Sequence, residues 1–192
     1  MGLLDQSARA ALLQRARCAI AGAIGIGTRG PSWDSRGDLQ PAAPAALRAG
    51  AFVTLRLGGR LRGCIGYLEP DLLLFEVVEQ CAVSAALSDP RFPPLTAGEW
   101  SAVEVEISVL GPIERVADIS EVEVGRHGLI AELGRRRGLL LPQVATEWQW
   151  GAAEFASQTC VKAGLPMDAW RNGASLYRFE AEVFGEKNLE GR

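Results

Sequence analysis

Cys64 is flanked by glycines in the run Arg62-Gly63-Cys64-Ile65-Gly66, and a cation stands two residues before it. Glycine carries no Cβ, so a ligand or another stretch of backbone can come close at such positions. A neighbouring cation favours the thiolate, the nucleophilic form of cysteine. Strict strand alternation puts Arg62 on the face of Cys64, and amides of the glycine-rich turn are then candidate donors to an oxyanion. His127 is the single histidine of the chain. It sits beside Gly125 and Gly128 and titrates in the range that suits a general base, so Cys64 and His127 form a candidate nucleophile–base pair. Glu104 and Glu106 share a strand face; that face is either solvated, or it brings Glu106 to His127 or to a substrate proton. Asp89 and Arg91 lie in the proline-rich run Asp89-Pro90-Arg91-Phe92-Pro93-Pro94. They read as a rigid ion pair or as an arginine that grips a carboxylate or phosphate. Gln143 is a further candidate hydrogen-bond donor, and Gly63 and Gly66 are candidate points of ligand approach.

Other chemistries have less support. Cys64, His127, Cys160 and a glutamate lack any local metal-ligand spacing, so no metal and no cofactor is expected. Arg135-Arg136-Arg137 reads as an exposed hairpin tip. The fingerprints GxGxxG and GxxxxGK[ST] do not occur. The net charge of −3 argues against a strongly basic nucleic-acid surface. Trp148 and Trp150 read as packing residues or as a stacking platform.

The elements that must carry these residues follow from periodicity. Residues 4–24 are rich in alanine, leucine and arginine at helical spacing. Residues 25–44 fill with Gly, Pro, Ser and Asp and read as a mobile loop. Residues 51–57 alternate as a strand, Gly58-Gly59 signals a two-residue hairpin, and the return strand from residue 60 to 66 carries Cys64. Asp71 is the expected cap of a helix to about Leu87, with Leu74, Val77, Val78, Cys81 and Ala85 inward. Further strands are expected at 102–110, about 127–133 and 175–184, and a helix at 151–163. Recurrent hairpins imply an α+β fold with a mainly antiparallel sheet and flanking helices. With 192 residues, 48% of them apolar, one substantial core is expected. No stretch reaches membrane-spanning length. Four scattered cysteines without CxxC spacing read as reduced thiols of a cytoplasmic protein.

The chain resembles the AMMECR-type domain, which in bacteria and archaea appears as AmmeMemoRadiSam system protein A. The resemblance rests on Gly50-Ala51-Phe52-Val53-Thr54-Leu55, Leu61-Arg62-Gly63-Cys64-Ile65-Gly66, the Asp89 to Pro94 run and Glu104 to Leu110. It extends through Gly125 to Ile130, Gly138 to Ala145, Cys160 to Pro166 and Trp170. It implies a single domain over residues 5–184 with a C-terminal tail at 185–192. Its fold would be a larger and a smaller lobe with a cleft between them. It also implies a pathway shared with a Memo-like protein and a radical SAM protein. Three functions are compatible with it. The first is a cysteine-dependent enzyme acting on a small molecule by acyl, alkyl or similar transfer. The second is a non-catalytic ligand-binding or adaptor subunit of that system. The third, by fold analogy, is nucleotide or RNA binding.

Overall fold

The computed structural model describes residues 3–26, 47–68 and 72–189. They form two compact units. The larger is Met1–Val109 with Glu182–Arg192, and the smaller is Leu110–Ala181.

In the larger unit, helix α1 (Gln6–Ala23) starts where the Asp5 carboxylate accepts the Ala8 N–H at 2.8 Å. Strands β1 (Ala51–Leu57) and β2 (Arg60–Tyr67) form the expected hairpin. Its Gly58 and Gly59 have φ of +57° and +78°, the left-handed region that a two-residue hairpin turn requires. Helix α2 (Leu74–Leu87) opens at Leu73, whose N–H is accepted by the Glu76 carboxylate; Asp71, the expected cap, lies outside the described residues. Strand β3 (Val103–Leu110) pairs antiparallel with the other side of β1. Val53, Leu55, Val105 and Ile107 are wholly buried against α1 and α2, and Ile65 packs on the same core. Burial of this stripe, at about 25 cal/mol per Å² of apolar surface, holds both helices on one face of the sheet. The chain returns at its end. Glu186 takes the Val105 N–H, gives its own N–H to the Val105 carbonyl and pairs with Arg17. Residues 186–189 of the expected tail are therefore tied down.

In the smaller unit, strands β5 (His127–Leu133), β6 (Arg136–Leu140) and β7 (Ser175–Gly185, up to Ala181) pair antiparallel, with β5 in the middle. The two-residue strand β4 (Glu114–Arg115) joins the other side of β7. Helices α3 (Pro142–Glu147) and α4 (Ala152–Lys162) cover one face, where Leu129, Ala131, Phe155 and Cys160 meet. The α+β, antiparallel reading holds. Of the loop expected at 25–44, residues 27–44 lie outside the described residues. No helix among the described residues is long and apolar enough to cross a membrane.

One irregularity changes the hairpin. Leu57 faces Arg60 and Arg56 faces Leu61, but Leu55 faces Gly63 and Thr54 faces Cys64. Arg62 is the extra residue of a β-bulge. Beyond the bulge, Gly63 points at α2 so closely that a Cβ would stand 2.1 Å from the Ala85 carbonyl oxygen. Gly63→Ala should lower the urea-derived unfolding free energy by roughly 1–3 kcal/mol, the usual cost of forcing extra volume into a packed site. Gly98→Ala, where a Cβ meets nothing within 4 Å, should stay within about 0.5 kcal/mol. Equal effects would contradict this account of Gly63.

Candidate functional site

The bulge decides what Cys64 faces. Without the extra residue it would stand opposite Val53, on the side packed against the helices. With it, Cys64 stands opposite Thr54, and Thr54 in turn stands opposite Glu106 on β3. Residues opposite one another in an antiparallel sheet share a face, so Cys64, Thr54 and Glu106 form a polar row across three strands. The backbone N–H and C=O of Cys64 point away from β1, so Cys64 and Thr54 are a non-hydrogen-bonded pair, the kind whose side chains come closest. The Thr54 hydroxyl lies 3.3 Å from Cys64 Sγ, within donating distance. Thr54 is buried, and Cys64 and Glu106 are half-buried.

The outer edge of Cys64 is held by the proline-rich loop. Asp89 Oδ2 accepts the Cys64 N–H at 2.9 Å, and an Arg91 guanidinium nitrogen donates to the Cys64 carbonyl at 3.1 Å. Arg91 also forks onto both Asp89 oxygens, at 2.9 and 2.6 Å. The side chain of Asp89 is 2% exposed and that of Arg91 50%. Hydrogen bonds from Arg91, and then from the Cys64 and Arg91 amides, hold the Asp89 carboxyl well below the usual carboxylate range against the opposing effect of burial. The Arg91 guanidinium is held more firmly protonated, first by Asp89 and then by the Cys64 side chain. Asp89 and Arg91 thus form the rigid pair that was one of their two expected roles. The open half of the guanidinium lies beside the cysteine.

Arg62 has other partners. It bonds both Glu99 oxygens, at 2.9 and 3.2 Å, and the carbonyls of Pro93 and Pro94 at 2.9 and 3.3 Å. The alternation that placed it beside the thiol fails at the bulge, and the cation at Cys64 is Arg91. Arg62 and two Thr96 donors hold the Glu99 carboxyl down at about 2. The expected oxyanion amides are also committed. The Cys64 N–H is taken by Asp89, and its two neighbours point into the ladder with β1. Gly66 makes room for the Phe52 ring, which would lie 2.3 Å from an added Cβ. The chain itself fills the space that both glycines leave.

Glu106 lies 3.7 Å from Arg56 on β1. His127 and Gln143 belong to the smaller unit. His127 is buried at the start of β5, and its Nδ1 accepts the Glu123 N–H at 3.0 Å. This bond fixes the ring and leaves Nε2 to carry the proton of the neutral imidazole. Gln143 is half-buried in the first turn of α3. Trp148 and Trp150 stack at 5.9 Å across Gln149, a non-glycine residue at φ 56°. No group of three or more His, Cys, Asp or Glu side chains among the described residues is placed to hold a metal ion. Thr54 and Glu99 were not singled out by their sequence context. Thr54 pairs with Cys64 only because of the bulge, and Glu99 is recognisable only as the partner of Arg62.

The AMMECR1 family model matches residues 13–184. A protein of Methanothermobacter thermautotrophicus is 51% identical over 146 residues, covering 72% of this chain and 76% of that protein. Protein MJ0810 of Methanocaldococcus jannaschii is 44% identical over 153 residues, covering 75% of this chain and 76% of its own. The crystal structure of PH0010 from Pyrococcus horikoshii is similar with a TM-score of 0.80 at 38% identity, over 94% of this chain and 92% of that one.

Asp89 and Glu99 are both more acidic in the folded chain than carboxyls of an unfolded one. Each therefore contributes stability that is complete above the unfolded value, near pH 4, and is lost as pH falls through the folded value. Urea unfolding should show stability declining from about pH 5 toward pH 2, and Glu99→Gln, already without its carboxylate, should lose less across that window. The same slope in both proteins would remove Glu99 from the acid response.

Proposed function

The chain belongs to the AMMECR1 family, and on that footing we propose that it acts on a small molecule through Cys64, by direct displacement in which the sulfur attacks a substrate atom and expels the group bound to it. The observation that carries this reading is the Thr54 hydroxyl at 3.3 Å from Cys64 Sγ. The hydroxyl within donating distance orients the sulfur, and the Arg91 guanidinium bound at the Cys64 carbonyl brings a cation to the same residue. Of the transfer classes open to a cysteine, acyl transfer develops an oxyanion that needs amide donors near the nucleophile. Here the amide of Cys64 is bound to Asp89. Displacement at a saturated carbon or at a heteroatom needs no such donors, since the sulfur attacks along the axis of the bond that breaks. Thr54 and Arg91 position Cys64 from two sides of its backbone and side chain. Glu106, in the same row, offers a carboxylate to a substrate proton. In this reading the substrate is shared with a Memo-like protein and a radical SAM protein, an association supported by the family resemblance.

The non-catalytic subunit is the competing reading. It is favoured by the completeness of the Asp89–Arg91 clamp, which would serve a purely structural hairpin equally well.

Alkylation by iodoacetamide at neutral pH, with each site read by peptide mass, separates the two. Cys18 is exposed on α1 and serves as the internal standard. Cys64 should alkylate about tenfold or more faster than Cys18 in the folded protein, and Thr54→Val should slow Cys64 several-fold without affecting Cys18. His127→Ala in the same assay shows whether the imidazole belongs to this centre as its base. A Cys64 that stays inert until the protein unfolds is a packing residue, and the subunit reading then stands.

A further inference from the structure

We propose that Trp148 and Trp150 form a docking surface for a basic segment of a partner protein, with an arginine side chain of that segment stacked on the Trp148 ring. The surface lies in the smaller unit and does not involve Cys64. Its geometry comes from the way α3 ends. The Gln149 N–H donates to the Thr146 carbonyl at 3.2 Å, and the Trp150 N–H donates to the Ala145 carbonyl at 2.9 Å. This is the Schellman pattern of helix termination, which places one residue in the left-handed region. Gln149 takes that place at φ 56°, where glycine is the usual residue. The turn fixes the backbone on either side of it, and the two tryptophans leave it in different environments. Trp150 packs on the core of the smaller unit, whereas Trp148 is 67% exposed. Their rings stack with centroids 5.9 Å apart and planes 15° from parallel. A flat apolar ring is thus held out in solvent by a neighbour anchored in the core. Little side-chain freedom remains for it to lose on binding.

Charge identifies the occupant. An indole face is electron-rich and attracts cations. From Gly138 to Val161 the chain carries no lysine or arginine, and its charged residues there are Glu147 and Glu154. Both are exposed, and neither pairs with a cation among the described residues. Glu147 directly precedes Trp148. A phosphate-bearing ligand finds no cation in this segment, whereas a guanidinium finds a ring face with a carboxylate next to it in the chain. The protein makes the same contact within itself. Arg17 lies over Trp100 and Arg171 over Trp170, each at 4.4 Å from the ring centroid. Trp100, Trp150 and Trp170 are half-buried. Trp148 is the exposed member of the described tryptophans, and no cation lies over its ring among the described residues. The arginine it lacks is the one a partner supplies. Arginine suits the ring better than lysine, because its planar guanidinium stacks flat and is more weakly hydrated. Glu147 and Glu154 draw further basic residues of the segment by charge.

The test reads the indole N–H signals of the full chain by nuclear magnetic resonance. The Trp148 and Trp150 signals are assigned by their loss in Trp148→Phe and Trp150→Phe. The probe is a blocked peptide of alternating arginine and glycine. Matched peptides carry lysine, or citrulline, which keeps the planar shape of arginine without its charge. The arginine peptide should shift the Trp148 and Trp150 signals saturably and leave those of Trp100 and Trp170 in place. The lysine peptide should bind several-fold more weakly, and the citrulline peptide about tenfold or more. Read at Trp150, Trp148→Ala should lower the affinity about tenfold or more and Trp148→Phe much less. Glu147→Gln should lower it several-fold. Unchanged thermal unfolding, with the Trp100 and Trp170 signals in place, shows that the variants are folded. Equal binding of the citrulline peptide, or tighter binding of adenosine than of the arginine peptide, makes the pair a platform for neutral groups and overturns the proposal. Shifts spread over all the indoles, or none at Trp148, overturn it as well. So does broadening of the Trp148 signal with protein concentration alone, which would make a second copy of this chain the occupant.

Discussion

The residue inserted at Arg62 is the constraint on which the rest of the larger unit depends. Strand side chains alternate with a period of two, so one extra residue exchanges the two faces of everything beyond it. Here the exchange moves Cys64 away from the helix-packed side and turns Gly63 toward it. Only glycine fits there, because the Ala85 carbonyl occupies the place of a Cβ. The bulge also frees the Arg62 side chain from the regular pattern. It is secured by four hydrogen bonds to Glu99, Pro93 and Pro94. The bulge and the proline-rich loop therefore specify each other: the loop supplies acceptors for the bulged residue, and the bulge sets the register at which the loop meets Cys64.

Two ion pairs with different exposures divide the work in that loop. Arg62–Glu99 anchors its far end and Asp89–Arg91 its near end. The Asp89 side chain is almost fully buried, so losing the hydrogen bonds from Arg91 and the Cys64 amide would strand carboxylate oxygens away from water. That penalty explains why the near end keeps one geometry. Arg91 remains half open, so the same pair holds backbone with one side and presents positive charge with the other.

Much of this was legible in the residues. Alternation at Ala51 to Leu57 and at Val103 to Leu110 located β1 and β3. Gly58-Gly59 located the hairpin, and the prolines after Asp89 marked the end of α2. The glycines around Cys64 set it apart from the other three cysteines. The bulge was not legible, because Arg62 looks like any polar strand residue until its partners are in place. With it went the partner across the strand, Thr54, and the identity of the nearby cation. Short α3 was hidden too: six residues beginning at Pro142 carry less than two turns of periodicity. Glu99 lay in a segment with no repeating pattern, and its role comes from a contact 37 residues away in sequence.

The clamp on Cys64 also bears on how these molecules behave toward one another. Strand β2 has β1 on one side and no strand on the other among the described residues. An open strand edge invites a strand from another chain. At Cys64 that invitation is already answered, since Asp89 takes the N–H and Arg91 the C=O that an incoming strand would need. Two loop side chains, Asp89 and Arg91, thus imitate the hydrogen bonds of a neighbouring strand without being one. The sheet is closed to polymerisation at the very point where the cysteine side chain is left accessible to small molecules.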